Sequence, residues 1–206
     1  MAIVLTTAPE VEPVTLAEMK DHLDFEDTGK DTYITSLIKA CRALCEQYTG
    51  LTIPTQTWTL WLDRFPESSS IKNDWWDGVR QGANVMETAR EVEIPKAPLQ
   101  TITYLKTYDT DDSASTFAAA SYTVDAASRP GRIVLKTGYT WPSSLRTANA
   151  IEVEFVAGMT DVDDDIIWAI KALGAHMFEN PGDELVAQHL PAHVQAILNT
   201  HRMLTI

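Results

Sequence analysis

The residues of this chain best spaced for chemistry are four aspartates in the stretch "AGMTDVDDDIIWAIKALGAHMFENP": Asp161, Asp163, Asp164 and Asp165. Carboxylates at such steps ligate hard cations, calcium above all. A calcium loop of the EF-hand kind also requires glycine at its sixth position and glutamate at its twelfth. Counted from Asp161, those places hold Ile166 and Ala172, so the sharp turn and the bidentate ligand are both missing. The competing reading is a helix N-terminus. There one carboxylate takes an orphan amide and the others favour the positive end of the helix dipole. The residues fit this second reading, and no metal or cofactor is expected here. A second acidic run, "DTDDS" from Asp109 to Ser113, has Ala114 where the loop glycine belongs and reads as a hairpin turn.

Other chemistries fail on composition and spacing. Of the five histidines, His22, His176, His189, His193 and His201, only His189 and His193 are four apart, and Pro191 separates them. No H-E-x-x-H, G-x-S-x-G, P-loop or dinucleotide fingerprint is present. Cys41 and Cys45 lie on one helical face with no second pair, which makes them buried thiols rather than zinc ligands. The chain is therefore not expected to be an enzyme. Trp75 and Trp76 stand in "NDWWDGVRQGAN", where neither a helix nor a strand period explains them. They are candidate exposed aromatics, either a platform for sugar or protein or a lid folded back on the core.

Charge limits the partners. With 16 basic and 29 acidic residues among 206, the net charge is −13. Gripping nucleic acid takes clustered Lys and Arg, and no such cluster exists. An acidic surface that DNA passes without sticking is compatible with this balance. The apolar runs fall short of the ~20 residues of a membrane span. The N-terminal "MAIVLTTAPEVEP" lacks the basic start of a signal peptide, so a cytoplasmic location during synthesis is expected.

The elements that would position these residues fall in three blocks. "TLAE" at Thr15 is a capping box opening a first helix, with Leu16, Met19 and Leu23 on one stripe. A second helix spans about Asp31 to Thr49, where Ile34, Leu37, Ile38, Cys41, Leu44, Cys45 and Tyr48 recur at three- and four-residue steps and Gly50 ends it. From Thr55 the period falls to two. "TQTWTLWLDRF" puts Trp58, Leu60 and Leu62 on one face. "EVEIP", "LQTITYLKTYD", "SYTVD", "GRIVLKTG" and "AIEVEFVAG" follow as strands, with "DTDDSAS" and "DAASRPG" as turns. Near Val162 the helical period returns through Ile166, Ile167, Ile170, Leu173, Met177 and Phe178. Leu185, Val186, Leu190, Val194, Ile197 and Leu198 suggest one more helix, broken near Pro191. The class is α+β: N- and C-terminal helices forming one core, with a β-rich insertion between them. The expected division is 1–53 helical, 54–157 β-rich, and 158–206 helices with a C-terminal tail.

Taken in order, "VTLAEMKDHLDFE", "DTYITSLIKACRALCEQYTGLTI", "QTWTLWLDRFP", "VEIPKAPLQTITYLKTYD", "YTVD", "GRIVLK" and "VEFVAGMTDVDDDIIWAIKALGAHMFENPGD" resemble the head–tail connector (adaptor) family of tailed bacteriophages and gene transfer agents. The resemblance runs from about Val14 to Asp183 and weakens after Ala187. It implies a helical connector core and a ring, typically twelve-fold, between the portal and the stopper or tail-side neck proteins. DNA would pass through the ring unread. It implies no catalytic residue, no membrane partner, and a place in the neck of the virion. Relatives use their C-terminal part against the portal, so Val194, Ile197, Leu198, Met203, Leu204 and Ile206 are the candidate portal contacts. The rival readings are another neck component (stopper or tail-completion protein) and, from a different class, a metal-dependent hydrolase or calcium-stabilised carbohydrate-binding module. The last would use Asp161–Asp165 and the Trp75/Trp76 pair.

Overall fold

The computed structural model describes residues 1–66, 90–181 and 190–203. The chain divides into two compact units. One comprises Met1–Ala8 with Gln56–Ala157, the other Pro9–Thr55 with Gly158–Ile206. The class is α+β.

The first unit holds all the described strands: β1 (Ala2–Thr7), β2 (Gln56–Leu62), β3 (Glu91–Ile94), β4 (Leu99–Tyr108), β5 (Ala114–Thr116), β6 (Tyr122–Asp125), β7 (Gly131–Leu135) and β8 (Ile151–Ala157). They build two antiparallel sheets, one of five strands in the order β1-β2-β8-β4-β5 and one of three in the order β3-β7-β6. Alternation fixes which face is apolar. In β8, Ile151, Val153, Phe155 and Ala157 are buried, while Glu152, Glu154 and Val156 are half-buried on the opposite face. The core joins Leu60, Leu105, Val153 and Phe155 from the larger sheet to Val92, Ile94 and Ile133 from the smaller. Phe65 and Trp141 stack against it with ring centroids 4.3 Å apart. On the opposite face, Tyr104 and Tyr108 donate their hydroxyls to the two oxygens of Glu152 at 2.7 and 2.6 Å.

The hairpin turns carry the local chemistry their sequences suggest. In "DTDDS", Asp109 Oδ1 accepts from the amides of Asp111 and Ser113, both at 2.9 Å. In "DAASRPG", Asp125 accepts from the Ser128 hydroxyl at 2.7 Å, from Arg132 Nε at 2.9 Å, and from the amides of Ala127 and Ser128. The Ser128 hydroxyl, then Arg132 and the Ser128 amide, favour the charged form and lower this carboxyl from its usual 3.8 to about 2. A depressed carboxylate contributes stability above its unfolded-state pKa and loses that contribution as pH falls through the folded value. The Asp125 contribution is therefore complete above about pH 4 and lost toward pH 2. We predict an NMR titration midpoint for the Asp125 carboxyl near 2, and a shallower acid limb of stability in Asp125→Asn. A midpoint at the free-aspartate value would contradict this network.

The second unit holds the described α-helices: α1 (Leu16–His22), α2 (Asp31–Thr49), α3 (Asp164–Glu179) and α4 (Ala192–Leu198). The capping box at α1 forms as read. The Glu18 amide donates to Thr15 Oγ1 at 3.2 Å, and the Thr15 amide donates to Glu18 Oε2 at 2.8 Å. α2 buries Ile34, Leu37, Ile38, Cys41, Cys45 and Thr49 and stops at Gly50, whose φ is 76°. Burial pushes the Cys41 and Cys45 thiols up to about 12, so they are inert small hydrophobes. α3 supplies Ile166, Ala169, Ile170, Ala172 and Leu173 to the same core. Gly174 lets α1 approach closely, since a Cβ there would lie 2.7 Å from Met19 Cε. Arg42, on α2, bridges Glu12 at 2.7 Å and Glu46 at 2.9 Å, tying the segment before α1 to this helix.

Two elements differ from the sequence reading. Ala2–Thr7 is a strand on the larger sheet, where residues 1–53 were all expected with the helices. Ala114–Thr116, expected as part of a turn, is a three-residue edge strand.

Candidate functional site

The aspartate cluster sits where α3 begins. Asp161, Asp163, Asp164 and Asp165 are all exposed, and Asp163 is the residue that precedes the helix. Its side chain makes no capping hydrogen bond, which corrects one detail of the sequence reading. The backbone carbonyl of Asp163 accepts from the amides of Ile166 and Ile167 at 3.0 and 3.1 Å, and Asp165 Oδ1 accepts from the Ile166 amide at 2.8 Å. Asp164 and Asp165 lie in the first turn, where negative charge favours the helix dipole.

What sequence spacing did not reveal is the partner of this cluster. His201, thirty-six residues from Asp165, places Nε2 2.7 Å from Asp165 Oδ2 and Nδ1 3.8 Å from Asp163 Oδ2. The hydrogen bond from His201 is the leading cause that lowers the Asp165 carboxyl below its usual value. One ligand atom each from Asp163, Asp165 and His201 lies within 4.8 Å of the others, a spacing that can hold a metal ion. The positive end of the α3 dipole opposes a cation there, and Asp165 already spends one oxygen on His201 and the other on its helix. The arrangement serves as a clasp between the start of α3 and the residues after α4.

The rest of that C-terminal segment is fastened in the same way. Tyr48 donates its hydroxyl to Asn199 Oδ1 at 2.7 Å, the Met203 amide donates to the Thr49 carbonyl at 2.8 Å, and Arg202 lies over the Tyr48 ring at 5.5 Å. Val194 and Leu198 are fully buried in α4, while Ile197 and Met203 are half-buried. Val194 and Leu198 are therefore core residues of the helical unit. Leu204 and Ile206 lie outside the described residues, as do Trp75, Trp76 and His189. His193 sets its ring edge-on to Trp168, which is itself half-exposed on α3.

Charge separates the units. The helical unit carries 16 acidic and 6 basic residues, net −10, while the β unit carries 13 and 10, net −3. Among the described residues, no helix is long and apolar enough to cross a membrane.

The comparisons with known proteins gave one family match and several fold likenesses. A family model described as "Head completion protein" matches residues 12–204. Three solved structures share the fold over the whole chain. The neck of an empty GTA particle computed with C6 symmetry matches with a TM-score of 0.75 and 22% identity. The virion of a native gene transfer agent particle matches at 0.73 and 20%. The neck of a native GTA particle computed with C12 symmetry matches at 0.72 and 23%. In each case 100% of this chain and 97% of the other are covered. No curated protein matches.

Proposed function

The chain belongs to the head completion protein family, and from that premise we propose that it is the head–tail connector, or adaptor, of a tailed phage or phage-like particle. It is a structural protein and not an enzyme. In this reading copies of the chain form a ring in the neck of the virion, with the portal on one side and the stopper or a tail-side protein on the other. The helical unit is the connector core and the β unit its insertion.

One observation carries the reading: a fold likeness that spans 100% of this chain and 97% of a chain from a gene transfer agent neck. The charge distribution supports it. Each phosphate contact made by Lys or Arg adds affinity that a moving duplex would have to break. A unit of net charge −10 lets DNA pass without such contacts.

Disrupting the gene tests the proposal. Particles from the disrupted strain should be tailless heads that contain the portal, and supplying the gene in trans should restore tails. Normally tailed particles in its absence would refute a neck role. Heads joined to a stopper but lacking tails would favour the tail-completion alternative over the adaptor.

A further inference from the structure

Among the described residues, the five-stranded sheet ends in two open edges, β1 and β5. An open edge presents a row of unpaired backbone N–H and C=O groups, and proteins commonly guard such edges with charge or proline. The guarding here is uneven. In the three-stranded sheet both edge strands carry charge, Glu91 and Glu93 in β3 and Asp125 in β6. In the five-stranded sheet neither does: β1 reads AIVLTT and β5 reads AST. β1 also exposes apolar side chains, Val4 at 52% and Leu5 at 43%. Every residue of β5 is exposed.

A ring built by rotation needs two different, complementary surfaces on each subunit. The two ends of one continuous sheet provide such a pair. We infer that in the ring proposed above the β1 edge of one copy pairs with the β5 edge of its neighbour, so that the sheets run on from subunit to subunit. This inference rests on the ring reading and names the contact that makes the ring. Four antiparallel pairings separate β1 from β5, so the two strands run in the same sense and the joint between copies is parallel. The three residues of β5 supply few ladder hydrogen bonds, each of about 1 kcal/mol net. Such a joint holds by closure, which makes the later contacts of a ring effectively intramolecular.

The register within one copy fixes which side chains share a face across the joint. Val4 pairs with Thr59, which pairs with Glu154, which pairs with Tyr104; Thr116 pairs with Lys106, two residues along the same strand. Val4, Ala114 and Thr116 are thus on one face. Leu5 leads through Trp58 to Phe155, and Ser115 leads through Thr107 to Ile151 on that same core-facing side. Leu5 and Ser115 therefore share the other face.

Cysteine cross-linking in assembled particles tests this. Three full-length double variants place the thiols on one face: Val4→Cys with Ala114→Cys, Val4→Cys with Thr116→Cys, and Leu5→Cys with Ser115→Cys. Mild oxidation should give a ladder of covalent multimers with at least one of them. The cross-face pair, Val4→Cys with Ser115→Cys, should give about tenfold less, because successive side chains point to opposite sides of a strand. Cys41 and Cys45 are buried, with thiols raised to about 12, and stay out of the reaction. Particles that contain the protein but give no ladder with any same-face pair would overturn the inference, as would an equal ladder from the cross-face pair. Particles that lack the protein altogether would overturn the ring reading itself, and the inference with it.

Discussion

Gly158→Ala should cost the protein about 4 kcal/mol, the largest loss expected of a Cβ added at any of the described glycines. Two effects combine at this position. Its φ of +129° lies in a region that residues with a side chain rarely adopt, which by itself costs about 1–3 kcal/mol. The added Cβ would then lie 2.3 Å from the Pro54 carbonyl oxygen and 2.7 Å from Thr55 Cα. Both are backbone atoms, so no rotamer change relieves the overlap. The two segments are also held together, by the Met159 amide donating to the Thr52 carbonyl and the Thr55 hydroxyl donating to the Met159 carbonyl, each at 3.3 Å. Gly138→Ala is the control. There φ is +88° but nothing lies within 4 Å of the added Cβ, so only backbone strain of about 1 kcal/mol is expected. Urea denaturation followed by tryptophan fluorescence measures both. Equal losses in the two variants would show that the Pro54 contact is not tight.

The elements that sequence alone made legible are those whose signals are local. The α1 capping box needs only residues 15 and 18, the stop of α2 needs only Gly50, and six of the strands announce themselves by alternation or by β-branched runs. β1 was hidden because "AIVLTT" has no polar alternation and stands before a proline-containing segment. Its identity as a strand comes from pairing with Trp58–Trp61, more than fifty residues away. β5 was hidden because three residues are too short for any period to show. Its strand geometry is imposed by Lys106–Tyr108.

The aspartate cluster divides in the same way. That it opens a helix and does not form a calcium loop was readable from Ile166 and Ala172. That Asp165 would be claimed by His201 was not, because the contact depends on how α4 returns across the start of α3. The C-terminal segment is a related case. Val194, Ile197, Leu198 and Met203 form an apolar stripe, and a stripe does not say what covers it. The structure answers for two of the four: α4 turns Val194 and Leu198 into the core of its own chain.

That burial leads to the second large effect. A chain cut after Pro191 should lose its helical unit, not merely a docking tail. The deletion removes two fully buried aliphatic side chains, worth about 1.5–3 kcal/mol each. It also removes the Tyr48–Asn199 and Met203–Thr49 hydrogen bonds, worth about 1 kcal/mol each. It strips Asp165 of its hydrogen bond to His201 as well. A loss of about 6 kcal/mol compares with a total stability of ~5–15 kcal/mol for an ordinary domain. The far-UV helical signal should therefore fall and its melting transition broaden or vanish, while Arg202→Ala, at an exposed position, should melt within a few degrees of the parent. The two roles assigned to this segment then separate. A truncated chain that melts like the parent yet fails to join portal-bearing heads would restore the docking tail and remove α4 from the core. A truncated chain that unfolds makes the failure to assemble a consequence of stability. Portal contact would then have to be sought on the exposed residues of the folded helical unit.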